Sequence, residues 1–454
     1  MSGKSHLKGI LIFSSRMDLR DAMRAALKKA KMPECDIKAI AFLEQFLEEM
    51  DQDDRSLLVL DWEAGEDKVL EILGKAQSTF TTETRPILML AKQTSEKLMA
   101  TGYEYHVSRV YCGEISMDKL KELFESMGQD EALNSPLRSV ISGVNQKRNL
   151  GDWAGANKIL EEIRAKVPDN PKVLTELAEN KFQNDLWKDA LLLLEPLIDL
   201  DPPYIRALHI LGRCYMKLGQ FDKASGVFKR AKITNPFNVD RLVLLGQCLL
   251  QENKTTEARQ NFDEASQLQP ESREARAGIS SCMLLEGEIN EALALMKNMS
   301  NSRELAAIFN SSAILAMRRG DYSHGMKLYD SAMGAIKGDV KVKARLHFNK
   351  GIGYCRWHRE SEAITCFELA WKSDLDFEKA KRNYLSLAKK LGVAVSVGQE
   401  VPDQLAPAST PEPGDQLADM DETIDGSLNL DLSGASDLNI DFDDDLEDES
   451  LSFL

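Results

Sequence analysis

Three cysteines, Cys214, Cys248 and Cys282, stand 34 residues apart. Evenly spaced thiols are what a metal-ligand array would use. The same spacing also puts one small residue at one buried position of successive repeats. Stacked helices lie roughly 8–10 Å apart, whereas a disulfide needs Cα atoms within about 7 Å. Burial is therefore the preferred reading, since free cysteine packs as a small apolar residue. Cys35, Cys112, Cys355 and Cys366 complete a set of seven without a C-x-x-C pair, which fits a reducing compartment. The histidines, His6, His106, His209, His324, His347 and His358, have no metal-ligating partner at i+4. No Walker loop, G-x-G-x-x-G, H-E-x-x-H or G-x-S-x-G occurs. Gly351-Ile352-Gly353 lacks the third glycine and falls inside a helical repeat. One carboxylate is placed for chemistry: Asp61 closes the apolar run LLVLD.

The elements around Asp61 set its surroundings. Gly9 to Phe13, Leu57 to Asp61 and Pro86 to Ala91 are short apolar runs. Met17 to Ala30, Glu66 to Ala76 and Met117 to Met127 carry helical periodicity. Alternating apolar strands and helices predict a doubly wound, flavodoxin-like α/β domain over 5–128. Functional groups then belong at the C-terminal strand ends, where Asp61 sits.

LLVLDWEAG followed by VLEIL, and PILMLA beyond it, resemble the receiver domain of two-component response regulators. The resemblance implies that Asp61 is a phosphoacceptor. It also implies an acidic pair after the first strand to hold Mg²⁺, and this sequence has Ser14 and Ser15 there. Ala91 replaces the hydroxy residue ending the fourth strand, and Arg109 is aligned with the lysine ending the fifth. Phosphoryl transfer is mostly positioning and charge neutralisation, and Mg²⁺ takes oxygen ligands, usually one or two carboxylates among them. Asp61 is thus expected to stand nearly alone in a degenerate receiver. The alternative role for Asp61 is a turn cap. The implied contact face, used for dimerisation, is the strand His106–Tyr111 with the last helix.

Residues 137–392 are repetitive. Ala156, Ala190, Ala224, Ala258 and Ala292 share a 34-residue period, as do Pro168, Pro202, Pro236 and Pro270. Gly151, Gly219 and Gly287 hold a third phase, and Trp153, Trp187 and Phe221 a fourth. The stretch from Gly212 to Pro236 resembles the tetratricopeptide repeat (TPR) through Gly212, Tyr215, Gly219, Phe221, Ala224, Phe228, Ala231 and Pro236. About seven repeats and a capping helix near 377–391 are expected. The resemblance implies an all-α superhelical solenoid with a concave surface for a partner's peptide or helix. A carboxylate-clamping variant is not supported, because Ile141 stands four before Asn145, where a base is wanted.

Net charge is −16. Residues 393–454 hold 17 Asp or Glu and no Lys or Arg, leaving 56 acids against 57 bases elsewhere. The composition predicts a disordered acidic tail in which acids alternate with Leu, Ile and Phe. Such a tail either solubilises the chain or binds a groove, and because residues 337–390 carry 13 bases and 7 acids it is also expected to fold back on the last repeats and compete with a partner. The apolar run at the N-terminus is too short for a secretory signal, and a cytoplasmic location is expected.

The expected function is a non-enzymatic bacterial signalling adaptor with a degenerate receiver coupled to a TPR solenoid. It needs no metal or cofactor, Mg²⁺ entering only if Asp61 is phosphorylated. A second reading is a working phosphorelay regulator with Asp61 as acceptor. A third is RNA or DNA binding through 337–350, though solvated helix faces carry such charge routinely.

Overall fold

The computed structural model describes residues 9–29, 36–52, 56–78, 86–127, 143–144, 147–148, 150–200, 203–297 and 301–393. The acidic tail beyond 393, Asn145 and the beginning of the first repeat lie outside them. The chain divides into two compact units, one of residues 1–215 and 226–238, the other of 216–225 and 239–454.

The first unit opens with an α/β domain. In chain order it comprises β1 (Gly9–Phe13), α1 (Met17–Lys29), β2 (Asp36–Ile40), α2 (Leu43–Gln52), β3 (Ser56–Asp61), α3 (Glu66–Ser78), β4 (Ile87–Ala91), α4 (Glu96–Glu104), β5 (Arg109–Cys112) and α5 (Met117–Met127). The strands are all parallel in the order β2-β1-β3-β4-β5, the flavodoxin-like arrangement. Successive strand side chains point to opposite faces. Ile10, Ile12, Val59 and Leu90 therefore pack with Leu19 and Met23 of α1 and Phe124 of α5. Leu11, Phe13, Leu58 and Met89 pack with Phe46 of α2, Val69 of α3 and Leu98 of α4. Both faces being covered explains the continuous apolar reading of β1, β3 and β4.

The fold departs from the expected elements in three places. β2 and α2 were not anticipated, because DIKAI is an edge strand with a lysine at its centre and a weak apolar signal. His106 is not in a strand: at φ +51° it turns the chain between α4 and β5. Arg109 does not end β5. It begins the strand opposite Leu88, while Cys112 stands beside Ala91 at the C-terminal end.

Helix pairs follow. The first unit continues with α6 (Trp153–Arg164), α7 (Pro171–Gln183), α8 (Trp187–Leu194) and α9 (Ile205–Lys217). α10 (Phe221–Thr234) comes next, and its residues from Gly226 onward belong to the first unit. The second unit carries α11 (Val239–Gln251), α12 (Thr255–Leu268), α13 (Arg273–Glu286), α14 (Ile289–Met296) and α15 (Ser302–Arg318). It continues with α16 (Tyr322–Ala335), α17 (Val340–Arg356), α18 (Glu360–Ser373) and α19 (Glu378–Leu391). Among the described residues, six pairs thus run from α7 to α18.

The period is written into the backbone. The turn between the helices of a pair holds a left-handed residue at Gly151, Asp185, Gly219, Asn253 and Gly287, with φ between +58° and +87°. Glycine adopts this region without strain. Asp185 and Asn253 keep the 34-residue phase where glycine is absent. Within the second helices, Ala156, Ala190, Ala224, Ala258 and Ala292 are wholly buried. The repeat motif residues Phe228 and Ala231 are wholly buried too, and a Cβ on Gly212 would come within 2.5 Å of the Phe228 ring. The same glycine-on-ring packing recurs at Gly246 with Phe262 and at Gly351 with Phe367. Among the described residues no helix is long and apolar enough to cross a membrane.

Candidate functional site

The C-terminal edge of the sheet brings Ser14, Arg16 and Asp61 together. Parallel pairing of β1 with β3 sets Phe13 beside Leu60, so the residues that follow each strand converge. Ser14 and Asp61 are both fully buried. The Ser14 backbone N–H donates to Ile40 O at 3.1 Å, and its hydroxyl donates to Asp61 Oδ2 at 2.6 Å. Arg16 then closes on the same carboxylate, Nε donating to Oδ2 at 2.9 Å and Nη2 to Oδ1 at 2.8 Å. The Arg16 backbone N–H donates to Ser14 Oγ at 3.1 Å, which fixes the loop joining β1 to α1.

Asp61 is therefore not the isolated carboxylate expected from the loss of two acids. A planar guanidinium matches a carboxylate with two parallel bonds, and the neighbouring hydroxyl supplies a third donor. The carboxylate and Glu63 in turn raise the Arg16 pKa, chiefly through the hydrogen bond to Asp61, against the opposing effect of burial. Glu63 also accepts from the Lys92 backbone N–H at 2.6 Å, tying the β3 and β4 ends together.

The remaining expected positions lie apart from this cluster. Ser15 is exposed, Ala91 is buried and offers no side-chain oxygen, and Arg109 lies at the other end of its strand. Mg²⁺ does not fit this donor set: the acids that would hold it are serines, and Arg16 already brings a positive charge onto Asp61. Arg16 could have been found in the sequence as a base two residues past the seryl position.

The first unit holds a second polar cluster that sequence reasoning missed. Arg148 Nη1 donates to Glu176 Oε2 at 3.2 Å, Arg206 donates to Glu176 Oε1, and Arg148 Nε donates to Asn180 Oδ1 at 2.7 Å. Burial pushes the Glu176 carboxyl up to about 7, against the pull of Arg206 and Arg148. Its signal was Glu176 and Asn180, polar residues at i and i+4 on a side of α7 otherwise buried and apolar.

In the same unit the end of α4 is engaged. Glu104 accepts from Asn235 Nδ2 and, at 3.0 Å, from Asn238 Nδ2. The His106 ring stacks on Tyr204 at 5.1 Å between centroids. The turn into β5, which the receiver resemblance assigned to a dimer face, is thus packed on the repeats of its own chain.

The repeat cysteines are wholly buried, and burial raises the thiols of Cys214 and Cys282 to about 12 and pushes Cys248 up as well. Their equal spacing is a packing register, with the thiols held in the protonated form.

Comparison with known proteins agrees with the repeat architecture. Residues 183–265 match the family model described as anaphase-promoting complex, cyclosome, subunit 3, and residues 249–306 match a tetratricopeptide repeat model. The chain therefore carries TPR repeats, an architecture of protein–protein interaction. Similar solved structures include a TPR protein from Parabacteroides merdae at 20% identity and a TM-score of 0.39, covering 55% of this chain and 98% of that one. MamA from Desulfovibrio magneticus RS-1 matches at 16% identity and a TM-score of 0.33, covering 34% and 87%. YrrB, described as a TPR protein with an unusual peptide-binding site, matches at 17% identity and a TM-score of 0.29, covering 51% and 97%. No curated protein sequence matches the chain at a significant level.

Proposed function

We propose that this chain is a non-catalytic cytoplasmic signalling adaptor. Its TPR repeats take a peptide or helix of a partner protein, and its receiver-like domain works without phosphorylation. The observation that carries the second half is the Arg16 guanidinium on Asp61. In phosphoryl transfer to a carboxylate, a cation must neutralise charge while an oxygen stays open to attack phosphorus. Here the cation belongs to the chain, and both carboxylate oxygens already accept hydrogen bonds. A receiver-like surface then serves as a fixed docking module, held on the repeats through Glu104 and His106. A homodimer, if formed through this domain, would use α5 and leave those contacts intact.

Affinity capture with the full chain, run with and without a small phosphodonor and Mg²⁺, tests this reading. The same partners should be retained in the same yield under both conditions. A retained set that changes with the phosphodonor and reverts in Asp61→Asn would favour the phosphorelay reading. Failure to retain any specific protein would remove the adaptor.

A further inference from the structure

The last helix has an unusual exposed face. On α19, Glu378, Arg382, Leu385 and Lys389 are all exposed and spaced four, three and four residues apart, which places them on one side. Lys390 and Leu391 continue that exposure at the helix end. Nearby in sequence, Leu369 is 44% and Leu375 62% exposed, and Leu385 is 37% exposed. α19 packs on α18 through Tyr384 and Leu387, so its covered side is already accounted for. A capping helix should end such an array with a polar outer face, yet this one intersperses leucine with lysine and arginine.

Charge decides what can cover it. Residues 337–390 carry 13 bases and 7 acids, a net of +6. A second copy would bring an identical positive face, and like charges suppress that pairing. The complementary chemistry lies further along the same chain. Leu428-Asn429-Leu430-Asp431-Leu432 and Leu438-Asn439-Ile440-Asp441-Phe442 repeat one apolar-Asn-apolar-Asp-apolar pattern ten residues apart. Asp443, Asp444 and Asp445 follow directly. Leu428 is 36 residues past Gly392. That length of chain can extend to roughly 120 Å, against about 21 Å for the whole of α19, so reach sets no limit.

We propose that the segment 428–449 docks on the last repeats of its own chain. Its leucines and Phe442 cover Leu385 and Leu391, and its aspartates face Arg382 and Lys389 and compete with Glu360 for Lys390. A site and ligand joined by one chain meet at an effective concentration in the millimolar range. Weak individual contacts therefore suffice, and a partner using this surface must displace the segment. This inference does not depend on the state of Asp61 or on the partner's identity.

Zero-length carbodiimide cross-linking of the full chain at low salt, on an equal mixture of unlabelled and ¹⁵N-labelled protein, tests it. Mass spectrometry should find links from carboxylates in 431–449 to Lys381, Lys389 and Lys390, within single molecules. Links to Lys68 and Lys158, exposed elsewhere, should be rare. Arg382→Glu with Lys389→Glu should reduce the links to Lys381 and Lys390 about fourfold or more, since each exposed pair is worth a factor of about two or more. Adding Asp441→Lys and Asp443→Lys should restore part of the yield, which a merely misfolded variant would not do. Salt near 1 M, where screening acts over about 3 Å, should suppress the links. Links spread over lysines according to exposure alone would overturn the proposal. Links mainly between labelled and unlabelled molecules would overturn it in favour of docking on a second copy.

Discussion

Arg16 holds Asp61 by two hydrogen bonds, Nε to Oδ2 at 2.9 Å and Nη2 to Oδ1 at 2.8 Å, and the carboxylate has no exposure to solvent. A buried charge is tolerated when its partner is present and is costly when it is stranded. Arg16→Met keeps much of the side chain's length and removes the charge. It should destabilise the α/β domain by about 3–5 kcal/mol in denaturant unfolding. The double variant Arg16→Met with Asp61→Asn should recover most of that loss. A single-variant cost under about 1 kcal/mol would mean that the pair contributes only as an exposed ion pair does.

Gly246 tests the repeat packing. In an exposed helix, Gly→Ala stabilises by about 1 kcal/mol. A Cβ at Gly246 would instead sit 2.6 Å from the Phe262 ring, and one at Gly278 would come within 2.4 Å of the same ring. Overpacking a filled core costs about 1–3 kcal/mol. Gly246→Ala should therefore lower the denaturation midpoint, and Phe262→Leu in the same chain should soften the loss. A rise in the midpoint would show that the ring yields easily.

The left-handed turn residues make the opposite case. Asp185 holds φ +58° at a position where four other repeats use glycine, Gly151, Gly219, Gly287 and Gly320. The left-handed conformation costs an L-residue roughly 1–2 kcal/mol, least for Asn and Asp. Asp185→Gly should raise stability by about 0.5–1 kcal/mol by thermal melting, after the extra chain entropy of glycine is offset. Gly219→Asp should lower it. Equal melting temperatures for the two variants would contradict the repeat register.

Burial lifts the thiols of Cys214 and Cys282 from the usual 9.0 to about 12. Above pH 9 the unfolded chain releases these protons and the folded chain keeps them. The unfolded state then binds fewer protons, so stability should fall as pH rises from 9 towards 12. At pH 8 the folded thiols are held almost wholly protonated. Iodoacetamide should therefore modify these two cysteines only as fast as the protein unfolds, and half-buried Cys112 sooner. Rapid native-state labelling of Cys214 would point to an open repeat.

The helical repeats were legible because one signal recurs. Alanine, glycine and aromatic residues at a fixed period mark the buried and turning positions whatever their partners are. β1, β3 and β4 were legible for a different reason, since strands covered on both faces need unbroken apolar runs. β2 lacks that cover and carries Lys38, which pairs with Glu49 at 2.5 Å, so its pattern is diluted. The site was half legible. Asp61 follows from its place at a strand end, and Ser14 from its place after β1. Arg16 does not, because its role depends on a loop conformation set by the Ser14 hydroxyl. Arg109 was misplaced for a related reason: a strand of four residues with little burial has no strong register in sequence.

With Arg16 in the place of a metal at Asp61, the carboxylate should resist phosphorylation. The full chain should be incubated with a small phosphodonor and Mg²⁺, then trapped and digested for mass spectrometry. The expected result is no acyl phosphate on Asp61, with the same outcome in Asp61→Asn. A phosphoryl adduct on Asp61 approaching stoichiometry, absent from Asp61→Asn, would show that Arg16 does not block the carboxylate and make this domain a working receiver.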